Sequence, residues 1–470
     1  MRKHLVVGLA TATAAALTGG LLVATADTAA AAGSGVPGDF NNDGYRDIAV
    51  AAPGAHVNGR SGAGQVVIVY GGVSDPSNAR RTVISQDSTG VPGTAEAGDG
   101  FGEAVVAEDF NGDGYADLAV GAPGEDVGTD TDGGTVAILW GSDTGLTSGV
   151  TVADPAPSAH DKFGRLLTAL SDGDQKPDLA IASDRPTIDV YRGGFTKSGT
   201  TGGSYRFVPP STVTTAPASL TSGNFGGHDL IADLVVTGPS TYYVLGSDSG
   251  LNPASHTKLP TSTAAAIGDF DANKYEDLAL GAPDESGGIV RVFNGDADGP
   301  AATMSYSITQ DSPGIPDSSE AGDRFGASLA VTRWNGSSHQ NLAIGAPGES
   351  LGSATGTGAV TYVYGSETGL DGLGPNDGTH AQFFAQSTPN VPGSDETGDH
   401  FGNAVHLADT HNDGQSDLIV GVAGENSADG AVVYLRGDGR IGTYGTPGIT
   451  PTGTGVATTG TPGFGAHLAG

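Results

Sequence analysis

The chain reads as an all-β, seven-bladed β-propeller, and three observations predict it. A nine-residue acidic loop recurs along the chain, each copy runs into a short apolar segment, and a β-rich strand of one kind follows seven times. Repeats this small cannot bury their own sheet faces and call for a closed array. A ring of four-stranded blades meets that need and leaves only short, protected edges.

The loop is the strongest signal. Residues 39–47 read DFNNDGYRD, 109–117 DFNGDGYAD, 269–277 DFDANKYED and 409–417 DTHNDGQSD. Positions 1, 3, 5 and 9 offer Asp39, Asn41, Asp43 and Asp47; Asp109, Asn111, Asp113 and Asp117; Asp269, Asp271, Asn273 and Asp277; and Asp409, His411, Asp413 and Asp417. Position 7 (Tyr45, Tyr115, Tyr275 or Gln415) would add a backbone carbonyl. A hard cation such as Ca2+ takes about six to eight oxygens at about 2.3–2.6 Å, and alternate residues of a tight loop can face one centre. His411 departs from this oxygen set, so its site is expected to be weaker or to take another metal.

Two other calcium motifs open the same way, and both fail here. A helical EF-hand needs a bidentate Glu at loop position 12. That position holds Val50, Val120, Leu280 and Val420. A dockerin-type repeat needs a helix after the loop, whereas Ile48-Ala49-Val50-Ala51-Ala52-Pro53 is a short apolar run ended by proline, which favours a buried strand.

The strands that follow lie at 65–70, 135–140, 187–192, 241–245, 288–293, 359–364 and 431–436. Three degenerate loops fill the gaps in the metal series. Asp172, Asp174 and Asp178 keep part of the pattern with Leu170 upstream, 224–233 keeps little, and 333–341 puts Arg333 where the first ligand belongs. A cation beside a guanidinium is unfavourable, so that last loop is expected to be empty.

Phe-Gly precedes most loops, at Phe101-Gly102, Phe163-Gly164, Phe325-Gly326 and Phe401-Gly402, and Gly-Ala-Pro or a variant follows them. Phe101 to Asp117, Phe325 to Asn341 and Phe401 to Asp417 each span sixteen residues. The first loop lacks its Phe-Gly, but Phe464-Gly465 at the other end of the chain restores that spacing when Gly470 is joined to Gly38. The C-terminal strand is therefore expected to complete the first blade and close the ring.

Phe-Gly, the acidic loop and Gly-Ala-Pro in this order resemble the FG-GAP repeat of the integrin alpha-subunit N-terminal propeller. Bacterial secreted FG-GAP proteins are similar also in the run before Phe-Gly, here at 91–99, 315–323 and 391–399. The resemblance implies a seven-bladed propeller with Ca2+ in hairpin loops on one face and a role in binding or adhesion. It also makes hydrolase labels an alternative, since some relatives are phospholipases with a separate catalytic domain.

Composition bounds the rest. Fifty-three acidic against twenty basic residues give a net charge of −33, a field that disfavours nucleic acid and anionic membranes. Residues 1–32 carry a basic start, an interrupted apolar stretch and Ala30-Ala31-Ala32, the pattern of a signal peptide, with the propeller over 33–470. No second apolar span follows, so no membrane span is expected. The absence of cysteine leaves no disulfide despite a secreted, extracellular destination.

Gly348-Glu349-Ser350-Leu351-Gly352 matches a nucleophile elbow, but Gly124-Glu125-Asp126-Val127-Gly128 holds the same place in blade 2 and no helix pattern follows. Arg436-Gly437-Asp438, a tripeptide that integrins recognise, falls where other repeats turn. Trp140, Trp334, Tyr70, Tyr364 and Tyr434 read as inter-blade packing. The expectation is a monomeric, non-catalytic module for an extracellular protein or glycan ligand. The alternatives are a hydrolase or glycan-active enzyme using the channel, and a cell-surface scaffold.

Overall fold

The structure, a computed structural model, describes residues 36–73, 80–225, 231–333, 338–370, 381–445 and 447–470, with only the backbone of Arg333. The expected signal segment and Trp334 lie outside the described residues. Seven four-stranded antiparallel sheets follow one another along the Gly33–Gly470 unit. Blade 1 pairs Leu468–Ala469, Ile48–Ala52, Gln65–Val69 and Arg81–Ile84, from first strand to fourth. Blade 2 runs Ala104–Glu108, Asp117–Ala122, Thr135–Trp140 and Ser148–Val152. The later blades open with Leu166–Leu170, Ser219–Gly223, Ala264–Gly268, Ser328–Arg333 and Phe401–Ala408. These first strands neighbour one another in cyclic order, and Leu468–Ala469 lies between Phe401–Ala408 and Ala104–Glu108. The predicted propeller, fourth blade included, is the observed fold.

The second strands are buried on both faces, which explains why their sequences are apolar runs instead of alternating patterns. Successive residues turn to opposite faces. Leu118 and Val120 thus enter the core shared with blade 1, and Ala119 enters the core shared with blade 3. Seven such cores sit between neighbouring blades, and none belongs to a single sheet. Tyr70, Trp140, Tyr364 and Tyr434 each cross into the next blade's core, as their positions suggested.

Phe-Gly and Gly-Ala-Pro are the two halves of one inter-blade joint. Phe101, Phe163, Phe325, Phe401 and Phe464 are all fully buried in these cores. The glycine after each phenylalanine packs on the preceding blade. A Cβ on Gly121, Gly281, Gly345 or Gly421 would collide with the carbonyl oxygen of Gly164, Gly326, Gly402 or Gly465 respectively. Only glycine permits that approach. Blade 1 carries Ala51 at this place and tolerates it, with the ideal Cβ of Gly102 3.3 Å from the Ala51 methyl. Joints 3–4 and 4–5 lack the device and rely on apolar packing, including Phe207 against Tyr242 and Phe225 against Leu280.

Ring closure follows the predicted register. Ala49 pairs with Ala469 and Val50 with Leu468. Ala51 N–H donates to the His467 carbonyl at 3.0 Å, and Gly465 N–H donates back to Ala51 at 2.9 Å. Phe464 meanwhile fills the core between blades 7 and 1. Deleting residues 461–470 removes both the edge partner and that plug. Fully burying a phenylalanine contributes about 1.5–3 kcal/mol, and an unpaired edge templates aggregation. The truncated chain is expected to melt lower and to aggregate on heating, read by differential scanning fluorimetry with light scattering. Melting at the full-length temperature would show that the clasp does not hold the ring.

Candidate metal centre

The acidic loops of blades 2, 5 and 7 join a blade's first strand to its second, and that of blade 1 leads into its second strand, so all four share one end of the ring. The loops adopt one backbone. Positions 4 and 6 are left-handed in each: Asn42 and Gly44 at φ 59° and 90°, Gly112 and Gly114 at 72° and 86°, Asn412 and Gly414 at 50° and 83°. Blade 5 holds the same conformation with Ala272 at 58° and Lys274 at 77°, where neither residue is at ease. Blade 3 keeps it too, through Gly173 and Gln175 at 90° and 64°.

The geometry differs among the copies. In blade 5 the carboxylates of Asp269, Asp271 and Asp277 come within 4.8 Å of one another, alone among the described acidic loops. Two oxygens on one calcium at about 2.4 Å stand at most about 4.8 Å apart, so this loop fits a shared cation. Asp269 Oδ1 is buried there without a hydrogen-bond partner. Asn273 is held against Asp271 at 3.1 Å. In blades 1 and 2, as in blade 5, loop side chains also accept from the loop's own N–H groups. Asp39 accepts from Asp43 and Gly44, and Asp109 from Asp113 and Gly114, at 2.8–3.2 Å. Asn41 and Asn111 accept from Asp43 and Asp113, and Asp43 and Asp113 from Tyr45 and Tyr115, whose side chains take no part in these bonds.

Blade 7 carries basic side chains of its own. His411 Nδ1 lies 2.8 Å from Asp417, and Arg436 bonds Asp413 at 2.9 Å. Asp409 accepts from Asp413 and Gly414, while the Gln415 amide oxygen accepts from Gly439. Blade 3 does likewise, with Arg192 on Asp172 at 2.6 Å. Positive side chains thus stand against the carboxylates that a metal would need. The arginine of Arg436-Gly437-Asp438 is therefore engaged within its own blade, and the segment is a turn, as read. Ser350 accepts from Gly356 N–H as Asp126 accepts from Asp132, so it caps a loop and does not form an elbow.

Position 9 has a role that sequence reasoning missed. In all seven blades its side chain accepts a hydrogen bond from a glycine N–H just past the third strand: Asp47 from Gly71, Asp117 from Gly141, Asp178 from Gly193, Asp233 from Gly246, Asp277 from Gly295, Asn341 from Gly365 and Asp417 from Gly437, at 2.6–3.0 Å. A Cβ on six of these glycines would strike its own blade's position-8 residue, and one on Gly193 would strike Lys176 at position 7. Asp47, Asp277 and Asp417 also bind the N–H of loop position 2, and Asp233 binds that of Phe225. The residue pins the hairpin whether or not the loop fits a metal. The legible signal was a glycine recurring after every third strand.

These pins are buried beside other acids. Burial, with neighbouring carboxylates adding to it, pushes Asp47 and Asp117 up to about 8 and Asp277 to about 7. Without metal, stability from these groups is full below about pH 4 and is lost as pH rises through about 7–8. In chelator the melting temperature is therefore expected to fall between about pH 5 and 8. The increment restored by calcium should grow over the same range, and an increment flat with pH would contradict this. At position 9, Asp277→Asn should keep the pin, as Asn341 does, while losing metal affinity. Asp277→Ala should also lose about 2–4 kcal/mol in chelator, where Asp271→Ala loses little; urea titration reads the difference.

An FG-GAP repeat family model matches residues 31–69 and 101–139. A phosphatidylinositol-glycan-specific phospholipase D of Bos taurus is 28% identical over 411 residues, covering 86% of this chain and 44% of that protein. Integrin alpha-6 of Gallus gallus is 33% identical over 159 residues, covering 33% of this chain and 13% of that one. This chain thus spans less than half the length of either relative. Among solved structures, the exotype rhamnogalacturonan lyase YesX covers 87% of this chain and 72% of its own at a TM-score of 0.46 and 13% identity, too slight a likeness to bear on function. The matched segments run from the acidic loop or Phe-Gly through the third strand of blades 1 and 2, and the ring repeats that unit around its circumference. The chain is a seven-bladed β-propeller that carries FG-GAP repeats in blades 1 and 2.

Proposed function

We propose that this chain is a secreted, calcium-stabilised ligand-binding propeller of the integrin-alpha-like kind, without catalysis of its own. The blade 5 loop carries the metal reading: three carboxylates within 4.8 Å on a backbone strained at Ala272 and Lys274. Strain of that kind persists where a site requires it. On this reading Asp269, Asp271, Asn273, the Tyr275 carbonyl and Asp277 hold the strongest site. Blades 1 and 2 follow, because their carboxylates do not converge as those of blade 5 do, and blade 7 is weakest because His411 and Arg436 already engage its carboxylates. Residues 1–32 act as the export signal. Among the described residues no helix is long and apolar enough to cross a membrane.

The partner is proposed to be an extracellular protein or glycan, met by loops at an end of the ring. The likeness to a phospholipase D over 86% of this chain favours one second reading, a propeller that serves an extracellular lipid hydrolase. Two measurements separate them. Purified protein is expected to retain ligands on a glycan and cell-wall array at fixed calcium, and to release nothing from glycosylphosphatidylinositol or ester substrates. Turnover of such a lipid by pure protein would overturn the non-catalytic reading. For the metal, calcium at a hundredfold excess over Kd stabilises by about 2.7 kcal/mol per site. Chelation is thus expected to lower the melting temperature by several degrees, and an unchanged curve would rule out functional loops.

A further inference from the structure

At the end of the ring opposite the acidic loops, three loop pairs repeat one arrangement. A glutamine is followed by Glu, Asp and Glu at the same spacings: Gln86, Glu96, Asp99 and Glu125; Gln310, Glu320, Asp323 and Glu349; Gln386, Glu396, Asp399 and Glu425. The aspartate accepts the N–H of the first glutamate at 2.5, 2.5 and 2.7 Å. The glutamine Nε2 donates to the last glutamate at 2.5 Å in all three. Each arrangement clamps the loop leading into a blade to that blade's own second-to-third-strand loop. In each, the glutamine is buried and its Oε1 has no partner.

The copy at the joint of blades 5 and 6 goes further. Where the others have Gly93 and Gly393 it places Asp317, to which Gln310 also donates at 3.2 Å. Here alone among the three described copies, the carboxylates of Glu320, Asp323 and Glu349 come within 4.8 Å of one another. Asp323 and Glu349 are each 2% exposed and Gln310 1%. Among the described residues no Lys, Arg or His side chain pairs with any of these carboxylates. A buried carboxylate needs a partner, a metal or a proton. The amide oxygen and nitrogen of Gln310 are placed by the hydrogen-bond network, so turning the amide over brings its free oxygen to the carboxylates.

We propose that Glu320, Asp323 and Glu349, with the amide oxygen of Gln310, form a calcium site at the joint of blades 5 and 6. Three carboxylates and an amide oxygen suit calcium's flexible shell better than magnesium, which demands near-octahedral geometry and keeps its waters. The site draws on the connection from blade 5 into blade 6 and on blade 6's own second-to-third-strand loop, so the ion fixes that connection at the end away from the acidic loops. It does not depend on those loops binding metal.

The test is crystallographic, with terbium replacing calcium in the full-length protein and anomalous scattering locating each ion. A peak among Glu320, Asp323 and Glu349 is expected, well separated from any peak at the acidic loops. Peaks at the loops with none here would overturn the site. A peak here with empty loops would support it and sink the loop reading instead. Equilibrium dialysis supplies a second readout: Glu349→Gln is expected to lose one equivalent of bound calcium. An unchanged stoichiometry in a folded variant would overturn the proposal, and the native crystal decides if the variant does not fold.

Discussion

Everything in this molecule depends on the fact that no blade owns a core. Each second strand presents apolar side chains on both faces, so each sheet must be covered twice, once by the blade before it and once by the blade after. An open row of such sheets would leave two apolar faces in water, at a cost of roughly 25 cal/mol for every Å² exposed. The ring removes both ends at once. Leu468–Ala469 supplies the missing strand of blade 1, and Phe464 plugs the last core, so a few C-terminal residues complete the fold.

Closure sets how near the blades must come, and that explains the repeated motif. Where Phe-Gly of one blade meets Gly-Ala-Pro of the previous one, the backbones approach until a methyl group would strike a carbonyl oxygen. The phenylalanine beside it is driven into the same core. Two glycines and an aromatic ring are therefore one joint seen from two places in the chain. At joints 3–4 and 4–5 the motif is missing because large apolar side chains fill the gap instead.

The acidic loops use a scaffold that exists without them. The position-9 side chain pins the first hairpin to the end of the third strand in every blade, with an asparagine in blade 6 and beside an arginine-paired loop in blade 3. A structural carboxylate buried at a turn is one step from a metal ligand: adding oxygens at positions 1, 3 and 5 surrounds it with negative charge that calls for a cation. Blades 3 and 7 answer with arginine or histidine side chains, and blade 5 gathers three carboxylates with none. Repeats of one pattern have thus met the same electrostatic problem in different ways.

The sequence alone determined the fold class, the number of blades, the register of the closing strand and the position of every acidic loop. These follow from local period and from recurrence, both of which are written along the chain. Asp269, Asp271 and Asp277 were legible as a set for the same reason. What only the tertiary structure decided was which neighbours reach those sets from elsewhere: Arg192 on Asp172, Arg436 on Asp413, Gly295 on Asp277, and Gln310 with Glu349 across thirty-nine residues. Such partners lie on other strands or loops, and their distance from a carboxylate is set by how the sheets twist and pack. A spacing along the chain cannot carry that information, because it is the ring that brings the strands together.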